Sequence, residues 1–164
     1  NPMKKLASFV LALAMAAVCA APAMADNNQI TQESDPKSCD TTVTFTIAPS
    51  YTVTIPAATD IPFNSTGADT NLKGTLRLDA AQLELNHKIT VSAAVTPLHD
   101  SAKPAHTIPF TLRKDGAEFT SVEFTKAGEE VQLSVHIDEN AWKTVPAGKY
   151  EGSVTFTISY EQIN

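Results

Sequence analysis

Strict alternation of apolar and polar side chains near the C-terminal end constrains this chain more than any other feature. A turn over Pro146, Ala147 and Gly148 precedes the alternating stretch, which runs to Tyr160. Successive side chains of a β-strand point to opposite faces of its sheet, so the pattern predicts one long strand with a buried face and a hydroxyl-rich wet face. The inward positions are Tyr150, Gly152, Val154, Phe156, Ile158 and Tyr160, and the outward ones are Lys149, Glu151, Ser153, Thr155, Thr157 and Ser159.

The same alternation recurs in shorter pieces along most of the chain. Near the beginning it covers residues 42–47 and 51–55, and the interruption at Pro49 predicts an edge strand or one that passes between sheets. Asp115-Gly116 favours a tight hairpin turn. Residues 79–86 alone leave open a single helical turn. The other predicted strands lie at 76–78, 89–96, 108–112, 119–124 with a bulge, and 131–137.

Seven or eight short strands with turn signals between them place the chain in the all-β class. Sheets with one dry and one wet face are usually antiparallel, and two such sheets bury their apolar faces against each other. We therefore expect an immunoglobulin-like antiparallel β-sandwich, with a closed barrel as the alternative.

The N-terminal residues have the composition of a secretory signal peptide. Asn1 and Pro2 precede Met3 and are interpreted as additions, and two lysines then lead into an apolar run that ends at Ala23-Met24-Ala25. Residues 1–25 are assigned to these additions and the signal peptide, 26–41 to a flexible polar leader, and 42–164 to the sandwich. The predicted location is secreted, extracellular or on a bacterial cell surface.

Charge and cysteine content exclude several classes of function. Removal of residues 1–25 takes away two lysines and no acid, so the formal charge changes from −6 to −8. An acidic domain is a poor partner for nucleic acid. No later apolar run is long enough to span a membrane. Cys39 is then the only cysteine, which predicts a surface thiol or a link to another chain rather than an internal disulfide.

The sequence contains no recognisable catalytic constellation and calls for no cofactor, so we expect a non-enzymatic protein. His99, Asp100 and His106 share one connection and form a candidate site for zinc or copper, although solvated loop histidines are the simpler interpretation. Trp142 and Tyr150 bracket the Pro-Ala-Gly turn and form a candidate sugar-stacking site. The alternative is that Trp142 plugs the end of the sandwich and Tyr150 bonds a nearby loop.

The closing segment, Val145-Pro-Ala-Gly-Lys-Tyr-Glu-Gly-Ser-Val-Thr-Phe-Thr-Ile-Ser-Tyr160, resembles the C-terminal strand of fimbrial subunits and of spore-coat-U-type secreted domains. Val43-Thr-Phe-Thr-Ile47 is similar to the N-terminal strand of the same proteins. The resemblance implies an immunoglobulin-like fold and a role in surface structures, in which an N-terminal extension completes a neighbour's sheet. Residues 26–39 contain only Ile30 as a large apolar residue, so a donated strand would have to be residues 42–47.

These observations lead to one principal expectation about function and two alternatives. We expect a structural or adhesive surface domain that works through protein partners or self-association, with glycans as possible additional ligands. The first alternative is a carbohydrate-binding module that uses Trp142 and nearby tyrosines. The second is a metal-binding protein that uses the two histidines and Asp100.

Overall fold

The computed structural model describes residues 29–62 and 67–164. The predicted signal peptide at 1–25 lies outside these ranges. The chain divides into two compact units, Asn1–Ile47 and Ala48–Asn164. The described part of the first unit has no strand; it contains a turn in which Ser34 is buried and its backbone N–H donates to the carbonyl oxygen of Thr31 at 3.1 Å.

The second unit is built from antiparallel strands and one 3₁₀ turn, which confirms the predicted all-β class. The long strands β4 and β11 run side by side over most of their length. The elements are β1 Ser50–Thr54, β2 Thr70–Asn71, β3 Leu76–Gln82, β4 His87–Asp100, β5 Thr107–Ile108, β6 Thr111–Lys114, β7 Ala117–Glu118, β8 Ser121–Phe124, β9 Glu130–Val131, β10 Ser134–His136, the 3₁₀ turn Glu139–Trp142, and β11 Tyr150–Gln162.

The strands form three sheets within this unit. One has the order β1-β3-β9, and a second has the order β2-β10-β6-β7. The third has the order β11-β4-β5. In this sheet β8 pairs with residues 89–92 of β4, whereas β5 pairs with Leu98 and His99. The arrangement of buried faces is consistent with a β-sandwich.

Two groups of buried apolar side chains hold these sheets together. The larger group includes Leu76, Leu78, Ile89, Val91 and Phe124, which come from β3, β4 and β8 and are almost completely shielded from solvent. A smaller group at one end contains Ile108, Val135 and Ile137. Burial of each such side chain stabilises the fold by roughly 1.5–3 kcal/mol, so the core explains why the domain needs no internal disulfide.

Local sequence signals explain where several strands end. The Asp115-Gly116 pair joins β6 to β7 with φ angles of 52° and 78°, as the sequence predicts for a tight hairpin. Asn86, at φ 57°, ends the connection between β3 and β4, which belong to different sheets. Residues 79–82 continue β3 as a strand, so the helical alternative for this region is wrong. The helical turn of the described chain lies instead at Glu139–Trp142.

The structure differs from the sequence expectation at the beginning of the sandwich and at residues 119–124. Residues 42–47, predicted as the first strand, lie outside every strand, and β1 begins at Ser50. The predicted bulge after Phe119 is a change of sheet, because β7 pairs with β6 whereas β8 pairs with β4. Apolar spacing alone could not distinguish a bulge from a crossing between sheets, since both add residues between inward positions.

Candidate functional site: an open sheet edge

Strand β11 is an edge strand, because among the described residues it pairs only with β4. The backbone N–H of Ile163 donates to the carbonyl oxygen of Asn86 at 2.7 Å, which makes this opposite pair a hydrogen-bonded one. Hydrogen-bonded and non-hydrogen-bonded pairs alternate along an antiparallel ladder. The register of β11 against β4 therefore turns the backbone groups of Val154, Phe156 and Ile158 away from β4, toward the open edge.

An apolar groove lies beside this edge, and we call it the acceptor groove. Its volume is about 530 Å³, and its walls are the segment Ile55–Ile61 and the first half of β11. Its floor is apolar, and Val154 and Phe156 line it from β11 while they remain only half-buried. An edge strand that exposes both apolar side chains and backbone groups is a place where another strand can add. The floor residues are Leu72, Leu98, Phe110 and Val135.

A ring stack joins the two edge strands beyond the end of the groove. The ring centroids of Tyr51 in β1 and Tyr160 in β11 are 6.5 Å apart, and Tyr160 also stacks on His87 at 4.9 Å. The backbone N–H of Glu84 donates to the Tyr160 hydroxyl oxygen at 2.9 Å. These contacts hold β1 and β11 together at the Tyr160 end, whereas the residues of β11 that line the groove lie between Tyr150 and Phe156.

The rim of the groove carries an ion pair at its Tyr150 end. The Nζ of Lys149 lies 2.9 Å from Oε1 of Glu151. This hydrogen bond raises the pKa of Lys149 and lowers the pKa of Glu151. Both groups are exposed, so the pair adds little stability. The groove thus combines an apolar interior with a small charged rim, which is typical of protein-binding surfaces.

Gly152 allows β11 to pass close to β4 at the irregular point of their register. A Cβ added to Gly152 would lie 2.8 Å from the carbonyl oxygen of Thr96 and 3.1 Å from Cε1 of Phe110. Because Gly152 lines the groove and Phe110 forms its floor, this glycine is required by both the packing of the sheet and the shape of the groove.

Residues 42–47, which belong to the first unit, have exposed apolar side chains. Val43 and Phe45 are each 88% exposed, and Ile47 is 57% exposed. They alternate with Thr42, Thr44 and Thr46, so in an extended conformation all three apolar side chains lie on one face. Large apolar side chains that are exposed together are candidates for an interaction surface.

Trp142 and Tyr150, the candidate sugar-stacking residues, both pack against the smaller apolar group formed by Ile108, Val135 and Ile137. The Tyr150 hydroxyl donates to the carbonyl oxygen of Pro146 at 2.7 Å, and desolvation, with a smaller contribution from Asp100, raises the pKa of Tyr150. These contacts are those expected if Trp142 plugs the end of the sandwich and Tyr150 bonds a nearby loop. The sugar-stacking hypothesis stays a prediction.

The candidate metal ligands do not converge in the described part of the chain. Asp100 is 6% exposed, and its Oδ1 accepts a hydrogen bond from the Ala102 N–H at 2.8 Å. His99 precedes it on β4, so the two side chains point to opposite faces. His106 approaches Asp100 through its backbone, as its carbonyl oxygen accepts the Asp100 N–H at 2.9 Å. Residues 29–62 and 67–164 contain no group of three or more potential ligands placed to hold a metal ion.

Comparison with known proteins gives no family assignment for this chain. The sequence matches no protein-family model, and no curated protein matches it significantly. Within the described residues, no helix has the length and apolar character needed to cross a membrane.

The sequence indicates residues 42–47 as the segment that could be donated, but it identifies neither the residues of the acceptor groove nor the ring stack of Tyr51 and Tyr160. One signal was available: residues 42–47 are as apolar on one face as the last strand, although Pro49 follows them closely. The groove itself left no local signal, because residues far apart in the sequence form it.

Proposed function

We propose that this protein is a secreted structural subunit of the bacterial cell surface that assembles by strand addition. In this proposal its immunoglobulin-like sandwich lacks one edge strand, and residues 42–47 of another copy add to β11 and fill the acceptor groove. The observation that carries the proposal is that one chain contains both an apolar sheet edge without a second partner among its described strands and an exposed segment with matching alternation.

The backbone chemistry of the two surfaces is complementary. Each residue of the 42–47 segment has a backbone N–H donor, since this segment contains no proline. In β11, the backbone groups that point to the open edge belong to every second residue, namely Val154, Phe156 and Ile158. An added strand pairs with its neighbour at the same two-residue period, so one face of the segment is directed into the groove along its whole length.

The side chains are complementary as well. Val43, Phe45 and Ile47 would lie over the apolar floor that includes Leu98 and Phe110, while the intervening threonines would face solvent. Complete burial of side chains of this size contributes roughly 1.5–3 kcal/mol each before the cost of association. The segment has no charge, so its insertion requires no desolvation of an ion.

The sequence outside the sandwich supports export and surface assembly. The signal-like residues 1–25 direct a chain across a membrane, and the polar leader that follows gives the 42–47 segment a flexible N-terminal connection. The resemblance of both ends to fimbrial subunits has the same implication. No catalytic or metal site is needed for such a role.

The test compares the sedimentation of the protein lacking residues 1–25 with that of its Phe45→Asp variant over a wide concentration range. We expect the unsubstituted protein to form a series of oligomers and the variant to remain monomeric, because a carboxylate cannot enter the groove without desolvation. A matched Thr44→Asp variant places the same charge on the outward face of the segment and should still assemble.

A peptide of residues 40–49 provides the second arm of this test. It should bind the Phe45→Asp protein, whose groove is unchanged, and should raise the thermal midpoint of that protein. A protein that stays monomeric at every concentration, or assembles equally well as Phe45→Asp, contradicts the proposal. A Phe45→Asp change that lowers the thermal midpoint of a monomer would indicate insertion of the segment into its own groove instead.

A further inference from the structure

The central part of the outer face of the β11-β4-β8 sheet is an uncharged, hydroxyl-rich surface, and we call it the hydroxyl face. Its central positions are occupied by exposed serine, threonine and alanine side chains, and the register places Thr155 opposite Ala94 and Thr157 opposite Ser92. Charged pairs such as Lys88–Glu123 lie only at its edge. The central residues are Ser92, Ala94, Thr96, Ser121, Ser153, Thr155 and Thr157.

We propose that the hydroxyl face is a contact between copies of this protein, in which the face of one assembled filament packs against the same face of another. This inference rests on the proposed function, because the contact is effective only between polymers. It assigns lateral association, or bundling, to a surface that strand addition does not use.

Charge is the first reason to choose a second copy as the partner. Residues 48–164 contain nine Lys and Arg and fourteen Asp and Glu, so two copies repel each other on average. The central hydroxyl face has none of these charges. Two copies can therefore approach there at a lower electrostatic cost than at surfaces that carry the acidic side chains.

Hydrogen-bonding chemistry is the second reason. A hydroxyl group both donates and accepts, so a surface of serine and threonine is complementary to itself. A two-fold contact between identical surfaces needs this property. Within the sheet, the Ser92 hydroxyl donates to the carbonyl oxygen of Thr157 at 3.4 Å. The side chains are also short, which allows two sheets to pack closely.

The strand-addition model extends the same surface. If Val43, Phe45 and Ile47 of a neighbour face the groove, then Thr42, Thr44 and Thr46 face outward beside β11. They would add a further row of hydroxyl groups next to Thr155 and Thr157. The hydroxyl face is thus continuous with the surface that assembly creates.

The area of the face explains why polymers rather than single copies would use it. About seven residues each of β11 and β4, together with the four residues of β8, cover roughly 300 Å², whereas a stable pair of proteins needs about 800 Å² from each partner. Single copies should not dimerise through it. A filament presents the face once per subunit, so weak contacts act together along its length.

The experiment measures polymer formation and bundling separately on protein lacking residues 1–25. High-speed sedimentation reports polymers, while low-speed pelleting and electron microscopy report bundles. The Thr155→Lys/Thr157→Lys variant should form polymers normally and bundle at least fivefold less, because facing lysines repel. Glu118→Lys changes the net charge by the same amount from an exposed position on β7, and it should bundle normally.

A charge-reversal pair makes the test specific for contact between two hydroxyl faces. Polymers of Thr155→Glu/Thr157→Glu alone should not bundle, whereas Lys114→Glu polymers, which match their net charge, should. Mixing the doubly lysine-substituted and doubly glutamate-substituted polymers should restore bundles, and added salt should weaken them again.

Several results would overturn the inference. If polymers of the unsubstituted protein never bundle, the bundling inference is refuted and strand addition is unaffected. If the unsubstituted protein does not polymerise, both strand addition and bundling are refuted. Equal bundling of Thr155→Lys/Thr157→Lys and Glu118→Lys polymers also refutes it. Polymers that do not bundle but bind an insoluble neutral polysaccharide, with loss of binding in Thr155→Lys/Thr157→Lys, would assign the face to glycans instead.

Discussion

Truncation of Phe45 to alanine gives the most quantitative test of strand addition. Phe45 is 88% exposed, so nearly its whole side chain is available for burial in a groove. Complete burial of a phenylalanine is worth roughly 1.5–3 kcal/mol, and alanine retains only a small part of this gain. We therefore expect a loss of about 2 kcal/mol in binding, which corresponds to a dissociation constant roughly 30-fold higher.

The assay uses peptides of residues 40–49 and the Phe45→Asp protein, which supplies an acceptor groove but cannot donate. Titration calorimetry of the unsubstituted peptide and its Phe45→Ala form measures the ratio of dissociation constants. A Thr44→Ala peptide is the matched control, and a side chain on the outward face should change the constant by less than about threefold. Equal losses for the Phe45 and Thr44 changes would refute the inward placement of Phe45.

Two further predictions concern the stability of the acceptor strand. Gly152→Ala should lower the thermal midpoint by about 4–12 °C, from an overpacking cost of about 1–3 kcal/mol, because the new Cβ meets the carbonyl oxygen of Thr96 at 2.8 Å; an unchanged midpoint in calorimetry would contradict this close approach. A hydrogen bond from Ser159 is the main cause of the lowered pKa of Glu161. The ionised Glu161 therefore stabilises the folded protein at pH values above the usual carboxyl pKa of 4.5. This stabilisation is lost as the pH falls through the lower pKa that Glu161 has in the folded protein. Thermal melts should show Glu161→Gln less stable at pH 7 and the difference disappearing in acid, whereas a difference independent of pH would exclude this cause.

The all-β class, the long final strand and the Asp115-Gly116 turn could be predicted from the sequence because each depends on neighbouring residues. Alternation at a period of two fixes which side chains of a strand share a face, and a turn that needs positive φ angles selects glycine and aspartate. These local rules act before any tertiary contact forms. The same rules also predicted a strand at residues 42–47, and that prediction is wrong because these residues lie outside every strand.

Only the tertiary structure decided how those two similar segments differ. The sequence Val-Thr-Phe-Thr-Ile occurs at 43–47 and again at 154–158, yet one copy lies outside every strand and the other pairs with β4. Pairing depends on a partner strand of suitable register, and local sequence contains no information about that partner. The same reason applies to the candidate ligands, because the spacing of His99 and Asp100 could not show that Asp100 turns inward toward Gly148. The acceptor groove exists because Ile55–Ile61 and β11 approach each other across the fold, and that distance is set by the packing of the whole core.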